Sequence, residues 1–194
     1  MSQPALFDSG PLVLIDDPEG GVSYWPKFIE EQMAAHWFSV LRDTIARQSE
    51  QRPMYDRIVD VPRLRAGFVL KDEALPKVLR DAASRVHDKL GIDFDHVGMN
   101  FYRDGRDSVA PHNDELHSII AGKPIALISL GTARRMDIRD KQPPKSTRRI
   151  ELAPGSLLVM SHDSQKHFDH GIPKTTHPVG ARISVVFRVR PEGK

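Results

Sequence analysis

Residues 181–190 read ARISVVFRVR. Side chains alternate across a strand, so two residues apart means the same face. Ile183, Val185, Phe187 and Val189 therefore share one apolar face. Arg182, Ser184, Val186 and Arg188 share the other. Two strand types carry such a pattern. One is an edge strand that leaves its arginines in water. The other lies inside a barrel, where a buried guanidinium is very costly without a partner. There only a bound anion, such as a carboxylate gripped bidentately, would justify both arginines.

The elements around this stretch set the fold class. Ile29, Met33, Trp37, Val40 and Leu41 fall on one stripe at helical spacing, with Pro26 suited to a first helical turn. They predict a helix from Pro26 to about Arg47. Leu75, Val78, Leu79, Ala82, Val86 and Leu90 predict a second over about 74–90, capped by Gly91. The polar segment 49–65 between them, with Pro53 and Pro62, reads as loop and short strand. After residue 91 strands are expected at 97–103, 125–130, 134–139, 148–153, 156–161 and 181–190, separated by Gly and Pro turns. Helices followed by many strands make an α+β order, an antiparallel sandwich or barrel braced by N-terminal helices. Residues 1–24 read as an irregular extension apart from Leu12–Ile15. Residues 25–194 read as one domain, with a helical part over 25–95 and a strand core over 96–190.

Composition narrows the chemistry. The 194 residues are 39% hydrophobic and 28% charged, ordinary for a globular domain. There is no cysteine, so a metal would have to be held by imidazole and carboxylate. No apolar run approaches the roughly 20 residues of a membrane span, and no secretory leader pattern is visible. A soluble, cytoplasmic monomer is the expectation. The net charge of +2 argues little about nucleic acid. The stretch Arg134–Arg149, RRMDIRDKQPPKSTRR, is locally basic, with seven basic residues against two acidic ones. It reads either as a solvated hairpin or as a patch that meets phosphates.

Six of the nine histidines lie between 112 and 177. In VAPHNDELHS (109–118), His112 and Asp114 are two apart and could reach one ion, with Asn113 and Glu115 turned away. Two imidazoles and one carboxylate in an open site suit non-haem Fe(II). A third ligand could be His162, His167 or His170. In MNFYRDG (99–105), Asn100 and Tyr102 share a face and could donate to a carboxylate.

The ordered set NFYRDGRDSVAPHND, PGSLLVMSHDSQKHFDHGIPK and RISVVFR resembles the AlkB-type branch of the Fe(II)/2-oxoglutarate dioxygenases, over roughly residues 62–190. The resemblance implies a double-stranded β-helix, or jelly roll, with the metal between its sheets. It implies His112, Asp114 and His170 as iron ligands, His170 lying twelve residues before Arg182. Arg182 would pair with the distal carboxylate of 2-oxoglutarate, and Asn100, Tyr102 and Arg188 would complete that pocket. It implies use of O2 and oxidative demethylation of 1-methyladenine or 3-methylcytosine in DNA, or in RNA, with release of formaldehyde, succinate and CO2. A flipped base would need a wedge, at Met54 or Tyr55, and a stacking partner, at Phe68 opposite His112. Arg134, Arg135, Arg148 and Arg149 would contact phosphates.

The chain departs from the repair members at Leu116, where they carry an acid two residues after the ligand Asp. Glu115 is the neighbouring candidate for base recognition. Ser184 and Val186 stand where Asn and Thr are frequent. These departures bear on the substrate and leave the iron and cosubstrate residues intact. The competing readings are a dioxygenase of protein side chains or small molecules, a non-catalytic jelly-roll binding module, and a zinc hydrolase.

Overall fold

The computed structural model describes residues 10–54 and 57–191; the side chains of residues 49–61 lie outside that description. The chain forms β1 (Leu12–Ile15), β2 (Val22–Trp25), α1 (Glu31–Thr44), β3 (Gln48–Met54), β4 (Arg57–Val69), α2 (Lys77–Leu90) and β5 (His96–Tyr102). It continues with β6 (Val109–His112), a single 3-10 turn (Leu116–Ser118), β7 (Ile125–Gly131), β8 (Arg134–Asp140) and β9 (Thr147–Leu152). The last elements are β10 (Ser156–Met160), α3 (Ser164–His167), β11 (Phe168–Ile172) and β12 (Arg182–Arg188). The pairs are antiparallel and make two sheets. One has eight strands in the order β1-β2-β10-β7-β12-β5-β4-β3, the other four in the order β6-β11-β8-β9. This is the jelly roll expected from the motifs.

Two apolar layers hold it together. Ala34, Trp37 and Leu41 of α1 and Val78, Leu79, Ala82 and Val86 of α2 cover the outer face of the large sheet. They pack on Val97, Met99, Ala126, Ile128, Leu130, Ile183, Val185 and Phe187. Between the sheets lie Ile125, Leu127, Met136, Ile138, Leu158, Met160, Ile172 and Val186. Each such side chain taken out of water contributes about 1.5–3 kcal/mol. The Tyr24 hydroxyl ties the sheets, donating to the Glu151 carbonyl and accepting the Ala153 N–H, both at 3.0 Å. Among the described residues no helix is long and apolar enough to cross a membrane.

The structure corrects three local expectations. Residues 10–24 are not an irregular extension: β1 and β2 extend the large sheet, with β2 paired to β10. Helix α1 begins at Glu31, because the Ile29 N–H is taken by the Gly155 carbonyl at 2.8 Å and holds 26–30 in a turn. The polar segment after α1, read as loop and short strand, is a long hairpin, β3–β4, at the edge of the large sheet. Only residues 64–69 of β4 pair with β5. Pro53 is accommodated because β3 is the outermost strand. Helix α2 ends as expected on Gly91, whose φ of 66° is left-handed and whose N–H returns to His87 at 2.7 Å.

Candidate active site

Strand register builds the site. In the small sheet, β6 and β11 place His112 directly opposite His170. Residues so paired have Cβ atoms about 4.5–5.5 Å apart, and the imidazole centroids lie 4.5 Å apart. Gly171 permits this approach: a Cβ there would meet the Val109 carbonyl at 2.8 Å. His112 Nδ1 sits 3.0 Å from the Ala110 carbonyl, which can only accept. The neutral tautomer that fits this contact carries its proton on Nδ1 and presents Nε2 away from the Ala110 carbonyl. His170 is buried, and burial first, then the neighbouring His112, lowers its pKa to about 4. It is a neutral imidazole at physiological pH. His162 and His167 lie elsewhere: His162 is buried beside Glu19, and His167 neighbours Asp163.

Asp114 follows β6 and turns toward the same space. Its two carboxylate oxygens accept from Arg188 Nη2 at 2.8 and 3.0 Å. Burial pushes its pKa up, but Arg188, His170 and His112 outweigh that and hold it below the ordinary carboxylate value. Among the described residues no three imidazole or carboxylate groups are already converged at metal-binding distance. Two imidazoles and one carboxylate are nevertheless the donor set that a facial Fe(II) site requires.

In the large sheet, β12 pairs with β5 so that Arg182 faces Tyr102 and Ser184 faces Asn100. Arg182 is fully buried. Its Nε donates to Ser129 Oγ at 2.9 Å, and its guanidinium lies 5.1 Å from the Tyr102 ring centroid. Both Nη atoms are buried without a hydrogen-bond partner among the described residues. Burial lowers its pKa, with the Tyr102 phenol the main opposing influence. A buried cation with two unused donor groups fits a carboxylate ligand. Asn100 accepts from Arg63 Nε at 2.8 Å and donates to Ser184 Oγ at 3.4 Å. His112, Asp114, His170, Asn100, Tyr102, Arg182 and Arg188 line one narrow cavity between the sheets.

The sequence of residues 64–188 matches the 2OG-Fe(II) oxygenase superfamily. The chain belongs to that superfamily. It is 32% identical over 130 residues to the DNA oxidative demethylase ALKBH2 of Bos taurus, covering 63% of this chain and 47% of that protein. It is 34% identical over 119 residues to the alpha-ketoglutarate-dependent dioxygenase alkB homolog 3 of Rattus norvegicus, covering 57% of this chain and 40% of that protein. The chain spans about half the length of the curated relatives it matches. The solved structure of OsALKBH1 superposes with a TM-score of 0.59 at 14% identity, covering 88% of this chain and 97% of that one. That likeness shows the fold. The oxygenase family works with Fe(II), 2-oxoglutarate and O2, and the donor set and the unpaired guanidinium fit the first two.

Outside the cavity, a groove of about 900 Å³ runs from Asp114 and Asn100 across β5 and β4. Gly67 and Gly98 pair in register and leave its floor without side chains. A Cβ on Gly67 would meet nothing within 4 Å. Arg63, Arg65 and Arg190 line it, none of them singled out in the sequence. Arg63 and Arg65 could have been found from the alternation with Gly67, had 62–69 been read as a strand.

Several expected substrate contacts are not brought here. Phe68 borders the groove, but it pairs with Val97 on the helix-covered face of β4 and packs partly buried against the core there, away from His112. Arg135 is on the outer face of the small sheet, paired with Asp137 at 2.9 Å and absent from the groove. Arg134 is buried and donates to the carbonyls of Asp104, Asp107 and Pro173 at 2.8–2.9 Å, which leaves no phosphate contact to it. Arg148 is exposed and pairs with Asp140. Glu115 is on the groove rim, its side chain 73% exposed and 3.2 Å from His117. Tyr55 and the side chain of Met54 lie outside the described residues.

Proposed function

We propose that this chain is an Fe(II)- and 2-oxoglutarate-dependent oxidative demethylase of N-alkylated bases in DNA, with RNA as the alternative polymer. The observation that carries the reading is Arg182: a fully buried guanidinium with both Nη groups unpaired, in the cavity that also holds His112, Asp114 and His170. His112, His170 and Asp114 would hold the iron. Arg182 would grip the distal carboxylate of 2-oxoglutarate, with Tyr102 and Asn100 beside it. When bound, iron and 2-oxoglutarate supply the oxidising power that inserts one oxygen atom of O2 into a substrate C–H bond, the other entering succinate.

The protein's own residues do the rest. Arg188 holds Asp114 ionised and oriented. The apolar wall of Leu127, Met136 and Met160 limits water at the cavity. The side-chain-free floor at Gly67 and Gly98 offers a flat surface to a planar base beside the cavity mouth. A hydroxylated N-methyl group then loses formaldehyde, the C–N bond breaking with its electron pair returning to the base nitrogen. Support for a nucleic-acid substrate comes from the relatives, one of which is named a DNA oxidative demethylase.

The test supplies Fe(II), 2-oxoglutarate and O2 with oligonucleotides carrying 1-methyladenine or 3-methylcytosine. Formaldehyde and succinate in equal amounts, with loss of the methyl group, is the expected result. Succinate without loss of methyl from any oligonucleotide would overturn the substrate and leave the oxygenase class standing.

A further inference from the structure

The β6–β11 ladder fixes His112 but stops there. Residues 113–115 belong to no strand, so sheet register does not hold Asp114 in place. Its backbone N–H instead donates to Gln165 Oε1 at 3.0 Å, from a residue 51 positions along the chain. Gln165 is in α3 and only 1% exposed. A buried primary amide is costly unless its groups are used. Gln165 uses them in one direction. Its Nε2 donates to Ser164 Oγ at 3.2 Å, and Ser164 Oγ donates to the Ser161 carbonyl at 2.7 Å. Because the Asp114 N–H can only donate, the amide oxygen must be the atom that faces it.

The network continues to the N-terminal hairpin. The Ser164 N–H donates to Ser161 Oγ at 2.9 Å, and Ser161 Oγ donates to Asp17 Oδ2 at 2.6 Å. Asp17 Oδ1 accepts the N–H groups of Glu19 and Gly21, each at 2.8 Å, which fixes the turn between β1 and β2. From the other side Lys141 Nζ donates to the Gln165 carbonyl at 2.6 Å. Gln165 is thus held at both ends while it holds Asp114.

We infer that Gln165 is a positioning residue for the metal-binding carboxylate of Asp114, anchored through Ser164 and Ser161 to Asp17. This rests on the metal site proposed above. Two devices then divide the work: Gln165 fixes the Asp114 backbone, and Arg188 holds its carboxylate. The anchor at Asp17 lies outside residues 64–188, so the N-terminal hairpin supports the site as well as extending the sheet.

The test is titration of apoprotein with Co(II) alone, followed by its visible absorption bands, with thermal unfolding of each apoprotein measured beside it. Wild type should bind, and His112→Ala should not. Gln165→Met keeps the side-chain length and removes both hydrogen bonds. It should weaken Co(II) binding by about 10–100-fold, as loss of a residue supporting a ligand commonly does, and alter the bands. Gln165→Glu keeps the acceptor and should recover most of the affinity. Gln165→Met that binds Co(II) like wild type, whatever its melting temperature, overturns the inference and leaves the metal site intact. If Gln165→Met does not fold, Ser164→Ala decides: weaker Co(II) binding supports the inference, and wild-type binding overturns it. A wild type that binds no Co(II) overturns the metal site and the inference together.

Discussion

The two faces of β12 differ sharply in what they do. Ile183, Val185 and Phe187 point to the helices and pack into the apolar core. Arg182, Ser184 and Arg188, interleaved with them, point between the sheets at an anion-ready cavity. One face is complete in the folded chain. The other keeps a buried charge with two unused donor groups. A seven-residue strand thus carries a stability function and a binding function on opposite sides, and the side-chain period of two keeps them apart.

That contrast can be broken from either side. Phe187→Ala on the complete face should cost about 3–5 kcal/mol of folding stability, read by urea denaturation. Arg182→Met on the other face should cost much less than Phe187→Ala, because relief of the buried cation's desolvation penalty offsets the lost Ser129 hydrogen bond and Tyr102 contact. Equal destabilisation by both would mean that Arg182 is a structural residue after all. The next largest effect is expected at the groove floor. Gly67→Leu puts a side chain into open space, so stability should hold while the KM for a methylated oligonucleotide rises about tenfold, or about 1.4 kcal/mol. Turnover of 2-oxoglutarate without substrate should be unchanged. The smallest effect belongs to Arg135→Ala on the outer face of the small sheet. Asp137, whose side chain is only 5% exposed, keeps Arg139 at 3.3 Å, so stability should fall by about 1 kcal/mol while oligonucleotide KM stays as it was. A tenfold rise there would restore Arg135 to the substrate site.

Legibility in the sequence followed the same division. Alternation in ARISVVFRVR gives both faces of β12, and the stripes of α1 and α2 give the layer that covers one of them. Such patterns survive in sequence because burial enforces them residue by residue. The edge hairpin β3–β4 opens on a polar, proline-bearing stretch, and residues 49–65 read as loop and short strand although Leu64, Ala66 and Phe68 alternate with Arg63, Arg65 and Gly67. Without that strand the parity of β4 went unread, which put Phe68 at the substrate instead of in the core and hid Arg63, Arg65 and Gly67. Charge was equally ambiguous. Arg134 and Arg135 are adjacent and look alike in the sequence. Only the fold distinguishes the buried one, spent on three carbonyls, from the one on the outer face. Among the three late histidines, spacing left the choice open, the family resemblance favoured His170, and register sets His170 against His112. Gln165 had no local signal at all: its partner is 51 residues away, and only the end of β6 at His112 creates the need for it.

The most direct measurement of the central claim is an anaerobic calorimetric titration of 2-oxoglutarate into the Fe(II)-loaded protein, wild type against Arg182→Met. Wild type should bind one equivalent. The variant should lose about 2–5 kcal/mol of affinity, the cost of taking one partner from a buried charge pair. A variant that remains folded and binds 2-oxoglutarate as tightly as wild type would contradict the assignment of Arg182, and with it the reading of this cavity.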